Sequence, residues 1–401
     1  MATKGFRSAG HSPSLFAALL HFDISFMVWV LLGALGAYVA ADLDLTSAQK
    51  GLMVAVPALG GACFRLLIGS LADRVGIKRT GLVTLGLTLV PLAWAATAGG
   101  SYAQVLGIGL LLGIAGASFA VALPLAGYWY PPEHQGLALG IAGAGNSGTL
   151  IAALAAPRIA EHVGWHATFG LAAIPVTLAW IGFALLAKEP PRPAGAPATR
   201  ASSSLRLLEE VDARWLSTFY LVTFGGFVGL AGYLPIFFVD RFGLAKVTAA
   251  GYAALCAAAG SFLRPLGGAL SDHFGGTRVL SAALLAVGVV VAGLASLPAL
   301  GATVLLLFLA LAGLGIGNGA VFQIVPRRFP TRIGTVTGLV GAAGGVGGFV
   351  LPFAFGALEG RTGSFATGFL LFALATGGAS FAVAQRHRSW KPAPELEVAV
   401  A

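Results

Sequence analysis

Apolar residues run along this chain in twelve long stretches, separated by short clusters rich in Gly, Pro and charge. About twenty apolar residues make a helix long enough to cross a bilayer. The pattern therefore predicts twelve spanning helices, near 20–40, 50–71, 80–98, 102–128, 136–157, 165–187, 213–239, 248–271, 278–297, 301–325, 333–357 and 364–385. One polar stretch differs in kind. Residues 188–212, KEPPRPAGAPATRASSSLRLLEEVD, carry Pro, Ser and charge without a spanning run, and read as a linker with a short surface helix around Leu205 to Val211. The predicted fold is an all-α integral membrane protein in three parts: a six-helix bundle at 1–187, the linker at 188–212, and a second six-helix bundle at 213–401.

Composition agrees with the pattern. The chain has 401 residues, of which 57% are hydrophobic and 10% charged, and a mean hydropathy of +0.87. Soluble domains carry roughly 25% charged residues. The net charge of +9 alternates with the loops and does not form a nucleic-acid footprint. Lys78, Arg79, Lys188 to Arg214, Arg278, Arg327, Arg328, Arg332, Arg386 and Arg388 fall on one side, where the positive-inside rule places the cytoplasm together with both termini. The expected location is the cytoplasmic (inner) membrane, multi-pass, with no cleavable signal peptide. Cys63 and Cys256 sit in predicted spans at non-equivalent places and read as small packing residues. The seven histidines show no nucleophile or metal spacing, which argues against an enzyme. His21, Asp23, Glu133 and His134, near the predicted cytoplasmic surface, are the candidate groups for carrying a proton, with plain solvation as the alternative.

The two halves echo each other. GACFRLLIGSLADRVGIKR and GSFLRPLGGALSDHFGGTR pair Arg65 with Arg264, Asp73 with Asp272 and Arg79 with Arg278 at one offset (264 − 65 = 199; 278 − 79 = 199). Each of the first pair lies about two turns inside an apolar helix, where a cation costs several kcal/mol unless it has a partner. Acids are nearly absent from the spans; Asp23 stands nearest an interior. Two guanidiniums without a carboxylate form a positive cavity suited to an oxyanion, which a guanidinium binds through parallel hydrogen bonds. The alternative is that each arginine binds backbone carbonyls or Asp23. The loops GSLADRVGIKR and GGALSDHFGGTR resemble the signature loop of the major facilitator superfamily, which makes Asp73, Arg74, Arg79, Asp272 and Arg278 candidates for a gate latch.

Spans five and eleven are dense in glycine, including Gly143, Gly145 and Gly148 in one, and Gly341, Gly344 and Gly345 in the other. Such helices can pack closely, bend, or admit a small ligand to the backbone. Asn146 lies within the first, where a buried amide needs a partner. AGAGNSGTLIAALAAP and GNGAVFQIVPRRFP…GTVTGLVGAAGGVGGFVLP resemble the signature segments of the nitrate/nitrite porter family. The resemblance implies that Arg65 and Arg264 clamp the anion, that Asn146 contacts it, and that Tyr220, Phe224 and Phe119 surround it. It also implies an aromatic of the first span, for which both Phe26 and Trp29 fit.

The function implied is secondary transport of nitrate or nitrite through a lipid bilayer by alternating access. No cofactor is expected, nor a nucleic-acid partner, and the unit is a monomer. Proton symport and exchange against nitrite both remain open. The competing expectations are a carrier for another oxyanion, an organophosphate or a carboxylate, and a sensor that binds nitrate without moving it.

Overall fold

The computed structural model describes residues 6–190, 206–329 and 332–390. Among the described residues there is no β strand, and eleven helices are long and apolar enough to cross a membrane. One of them, Ala138–Leu186, has 49 residues, which at about 1.5 Å per residue is more than twice the thickness of a bilayer core. Gly164 breaks it at φ 80°, ψ 163°, a backbone state open to glycine. The helix thus doubles back and supplies two crossings, which makes twelve.

We number them α1 (12–42), α2 (Ser47–Val75), α3 (Ile77–Thr97), α4 (Tyr102–Gly127), α5 (132–163), α6 (165–186), α7 (Val211–Phe242), α8 (Lys246–Phe274), α9 (Gly276–Leu294), α10 (Leu300–Arg328), α11 (Ile333–Thr362) and α12 (Ala366–Ser389). α1 begins eight residues before the expected span (20 − 12 = 8), because His11 Nδ1 caps it by accepting the Ser14 N–H at 3.1 Å and Pro13 fits its first turn. The short helix expected within the linker, around Leu205 to Val211, is a single 3₁₀ turn, Leu207–Glu209; Leu205 lies outside the described residues. α1 is interrupted at Val30 and Leu35, and α5 tightens to a 3₁₀ segment at Ala144–Ser147.

Among the first six crossings α2 packs on α4, α1 on α5 and α3 on α6; among the last six α8 packs on α10, α7 on α11 and α9 on α12. Between the two sets α2 meets α11, α5 meets α8 and α1 meets α7. Large apolar side chains such as Leu67, Leu178, Leu185, Phe262, Val289, Leu374 and Phe381 face outward, as a lipid-facing surface requires. Cys63 joins that exposed surface and is not the packing residue expected, whereas Cys256 is buried. His21 is also not solvated: it is fully buried, 5.0 Å from the Phe183 ring, with Nε2 3.4 Å from Thr84 Oγ1.

An even number of crossings returns the chain to the end where it began. There, Trp390 donates to Asp212 at 2.7 Å, Arg328 pairs with Asp212, and Arg332 holds Glu210 through two bonds of 2.5 and 3.0 Å. The hydrogen bond to Glu210 raises the Arg332 guanidinium above its ordinary pKa. These pairs fasten the start of α7 to the end of α10, to the cap of α11 and to the chain just beyond α12.

Candidate functional site

Glycine crossings bring the two central arginines to their places. A methyl group on Gly113 of α4 would lie 2.5 Å from Gly60 Cα of α2, and one on Gly315 of α10 would lie 2.7 Å from Gly260 Cα of α8. Only hydrogen fits between these backbones. Arg65 and Arg264 follow about one turn later on α2 and α8. From there each guanidinium reaches a ring on the helix it crosses. Arg65 Cζ lies 5.4 Å from the Phe119 centroid, and Arg264 Cζ lies 5.3 Å from that of Phe322. Both distances fall within cation–π range.

The two arrangements touch. Phe119 and Phe322 have centroids 6.0 Å apart, one from each set of six crossings. Tyr220 meets the Phe322 ring edge-on at 4.9 Å and stacks on Phe224 at 4.9 Å with a 6° interplanar angle. Arg264 Nη2 donates to the Tyr220 hydroxyl at 3.4 Å. Arg65, Arg264, Phe119, Tyr220 and Phe224 are thus brought together in one place.

Arg65 satisfies part of its hydrogen bonding from the backbone, the alternative the sequence left open. Nη1 donates to the Gly341 carbonyl of α11 and Nη2 to that of Gly116 of α4 at 3.0 Å, while Nε is buried without a partner. The side chain is 4% exposed. Among the described residues no carboxylate forms an ion pair with either arginine. Asp23 binds Ser147 instead, at 2.6 Å. Carbonyls satisfy donors but do not cancel charge, so the pair stays cationic.

Asn146 lies in the 3₁₀ segment of α5, is 4% exposed, and has an Oδ1 with no partner. Turning the amide over would present an N–H at the same place. Gly145 and Gly148 pack on α1, Gly341 and Gly345 on α2, and Gly344 on the Tyr220 and Phe224 rings. Gly143 touches nothing within 4 Å of where its Cβ would be; it borders the 3₁₀ segment and leaves room there in place of a close helix contact.

On α1 the ring adjoining Phe119 is neither Phe26 nor Trp29. Trp29 donates its N–H to the Pro57 carbonyl at 2.8 Å and packs on Gly61 and Gly116; Phe26 is wedged between Phe22 and Trp29 at 4.3 and 5.0 Å. Phe22 is the ring that reaches Phe119, at 5.8 Å. Phe22 and Phe322 escaped the sequence reading, although Phe322 stands in GNGAVFQIVP, a segment already singled out.

The two signature loops are built differently. Asp272 accepts Gln323 Nε2 at 3.1 Å and Arg327 Nη2 at 3.5 Å, both from α10. Arg74, Arg79 and Arg278 are exposed, and among the described residues none forms an ion pair; Asp73 is half-buried. In the first loop Glu189, just past α6, accepts the backbone N–H groups of Ile77 at 2.6 Å and Lys78 at 2.9 Å. That cap was not foreseen.

The family model of the Major Facilitator Superfamily matches residues 17–352. The chain is 35% identical over 356 residues to the probable nitrate/nitrite transporter NarK2 of Mycobacterium tuberculosis (strain ATCC 25618 / H37Rv), covering 87% of this chain and 89% of that protein. It is 34% identical over 350 residues to the nitrite extrusion protein of Bacillus subtilis (strain 168), with 86% and 87% covered. Among solved structures, a bacterial homolog of the human lysosomal transporter Spinster, inward-facing and occupied, shares the fold at a TM-score of 0.71 with 18% identity, covering 98% of this chain and all of that one. The fold is that of a membrane transporter and not of an enzyme. The chain belongs to the major facilitator superfamily and, within it, to the nitrate/nitrite porter family.

Proposed function

We propose that the chain carries nitrate and nitrite across the cytoplasmic membrane by alternating access, exchanging one anion for the other. The observation that carries this reading is the pair Arg65 and Arg264: two cations, each against an aromatic face, with no acid paired to either among the described residues. Nitrate is planar, monovalent and weakly hydrated. The Phe119 and Phe322 rings offer such an anion apolar faces, and the free Nε–H of Arg65, the Arg264 guanidinium and the Asn146 amide are donors for its oxygens. The rings keep water out and so strengthen those charge-assisted bonds. The names of the two relatives, a nitrate/nitrite transporter and a nitrite extrusion protein, support the same substrates.

The bundles at 1–187 and 213–401, joined by the linker, would rock about this site as a monomer in the bilayer. The basic loops support a cytoplasmic position for both termini. An empty site bearing two charges is costly to carry through the apolar middle of the membrane, and a bound anion lowers that cost. This favours exchange over uniport. The test is nitrate uptake into proteoliposomes loaded with nitrite. Electroneutral counterflow that stops without internal anion supports exchange. Uptake driven by a pH gradient with inward positive current, and without internal nitrite, would point to proton symport.

A further inference from the structure

Asp23 occupies the interior of α1, an unusual place for an acid, and pairs with no cation among the described residues. Its Oδ1 accepts the Ser147 hydroxyl at 2.6 Å, and the Gly148 N–H lies within reach of the same carboxylate. Ser147 closes the 3₁₀ segment Ala144–Ser147, and Asn146 is its neighbour within that segment.

Nothing separates α1 from this segment. A methyl group on Gly145 would lie 2.9 Å from the Asp23 nitrogen, and one on Gly148 would lie 2.8 Å from the Met27 nitrogen. The Thr149 hydroxyl donates to the Asn146 carbonyl at 2.8 Å, so the peptide is held on that side as well. Only the Asn146 side-chain oxygen is left over, buried and without a partner. A 3₁₀ turn inside a helix has poorer internal hydrogen bonds than the α form and needs outside support to persist. Asp23 gives that support from the helix whose adjacent residue, Phe22, contacts Phe119.

We infer that Asp23 is a positioning residue for the anion site: through Ser147 it fixes the broken turn of α5 that presents Asn146, and so sets the affinity for nitrate without touching it. The inference rests on the reading of Asn146 as part of the substrate site. A carboxylate suits the task because it accepts several hydrogen bonds at once. Its acceptor capacity matters here and its charge does not, so asparagine at position 23 can replace it in part.

The experiment is nitrate counterflow by the full chain in proteoliposomes, with KM and maximal rate measured separately for D23A, D23N, S147A, N146A and the double variant D23A/N146A. Loss of this hydrogen bond is expected to raise KM about fivefold in D23A and S147A, with maximal rate changed by less than about twofold. D23N should recover most of the affinity, and D23A should add nothing in the N146A background, since both act through one group. An additive double variant, a D23N indistinguishable from D23A, or a fall in maximal rate at unchanged KM would overturn the inference. N146A with wild-type KM would remove Asn146 from the anion site and take this inference with it; N146A weakened but additive with D23A would overturn the role of Asp23 alone. S147A, a mild substitution, keeps the test available if D23A does not fold.

Discussion

Lys50 of α2 and Asp240 of α7 form an ion pair between the two sets of helices, with Nζ 2.9 and 2.8 Å from the two carboxylate oxygens. The pair lies at the end away from the termini. Near it a second lysine crosses the other way, Lys246 of α8, whose Nζ sits 4.6 Å from the centroid of the Tyr38 ring on α1. The second helix of each set thus lends a lysine to the first helix of the other. Below them Gly51 meets Gly356 and Gly33 meets Gly232, backbone against backbone. This end is shut, and these two lysines tie it.

A tie in a carrier has to break each cycle, so it should be modest. The Lys50 and Asp240 side chains are 19% and 25% exposed, and a partly exposed pair of this kind is worth about 1 kcal/mol or less. K50Q or D240N is therefore expected to enrich the form open at the far end by up to about fivefold. Spin-label distances between α2 and α7 would show it. The swapped pair K50D/D240K should restore the wild-type distribution; a swap that behaves like the single variants would show that the ion pair is not the tie.

Arg65 reaches the Gly341 and Gly116 carbonyls at once with two arms of one planar group. A lysine at this position places one ammonium against one carbonyl and leaves no rigid fork for the anion. R65K is expected to reduce nitrate counterflow by at least about tenfold. R264K should reduce it less, because the one hydrogen bond that the Arg264 side chain makes among the described residues is to the Tyr220 hydroxyl at 3.4 Å, which a single ammonium can also make. Equal and small effects would contradict a forked clamp at Arg65.

Phe322 stands against Arg264 as Phe119 stands against Arg65. Removing a cation–π contact in a desolvated site costs about 0.5–2 kcal/mol. F322A should then raise the nitrate KM by several-fold and F322Y should hold it near wild type. The same readings are expected for F119A and F119Y. If F322A behaves normally while F119A does not, the two halves of the site are not equivalent.

Why Phe322 was missed follows from the repeat itself. Adding the constant offset to Phe119 gives 119 + 199 = 318, which is Asn318. Phe322 lies four residues on, one helical turn farther along the same face. The extra turn in α10 defeats a rigid ruler but not the geometry. The paired arginines and the spans were legible because burial cost and apolar length leave local traces. The Gly164 corner was legible only as a gap between spans, marked by Arg158, Glu161 and His162, and nothing local singles out the glycine at which the chain turns. Asp23 with Ser147 and Glu189 with Ile77 left no trace: these pairs are 124 and 112 residues apart, and no local pattern reports a bond across such a distance.

Glu189 offers a test that separates scaffold from site. Its two oxygens take the first N–H groups of α3, those of Ile77 and Lys78, which have no partner within the helix. A carboxylate at a helix start satisfies these donors and complements the helix dipole, an effect of about 1 kcal/mol. Gly76, at φ 112°, makes the corner that presents them, and Lys78 Nζ bonds the Ala184 carbonyl at 2.8 Å, tying α3 to α6 a second time. E189A should therefore lower the midpoint of thermal unfolding by about 2 °C and leave the nitrate KM unchanged, because neither α3 nor α6 contributes a residue to the arginine pair or its rings. E189Q keeps an acceptor and should lie between E189A and wild type. A changed KM in E189A at unaltered thermal stability would mean that the α2–α3 corner acts on the anion site and not on the scaffold.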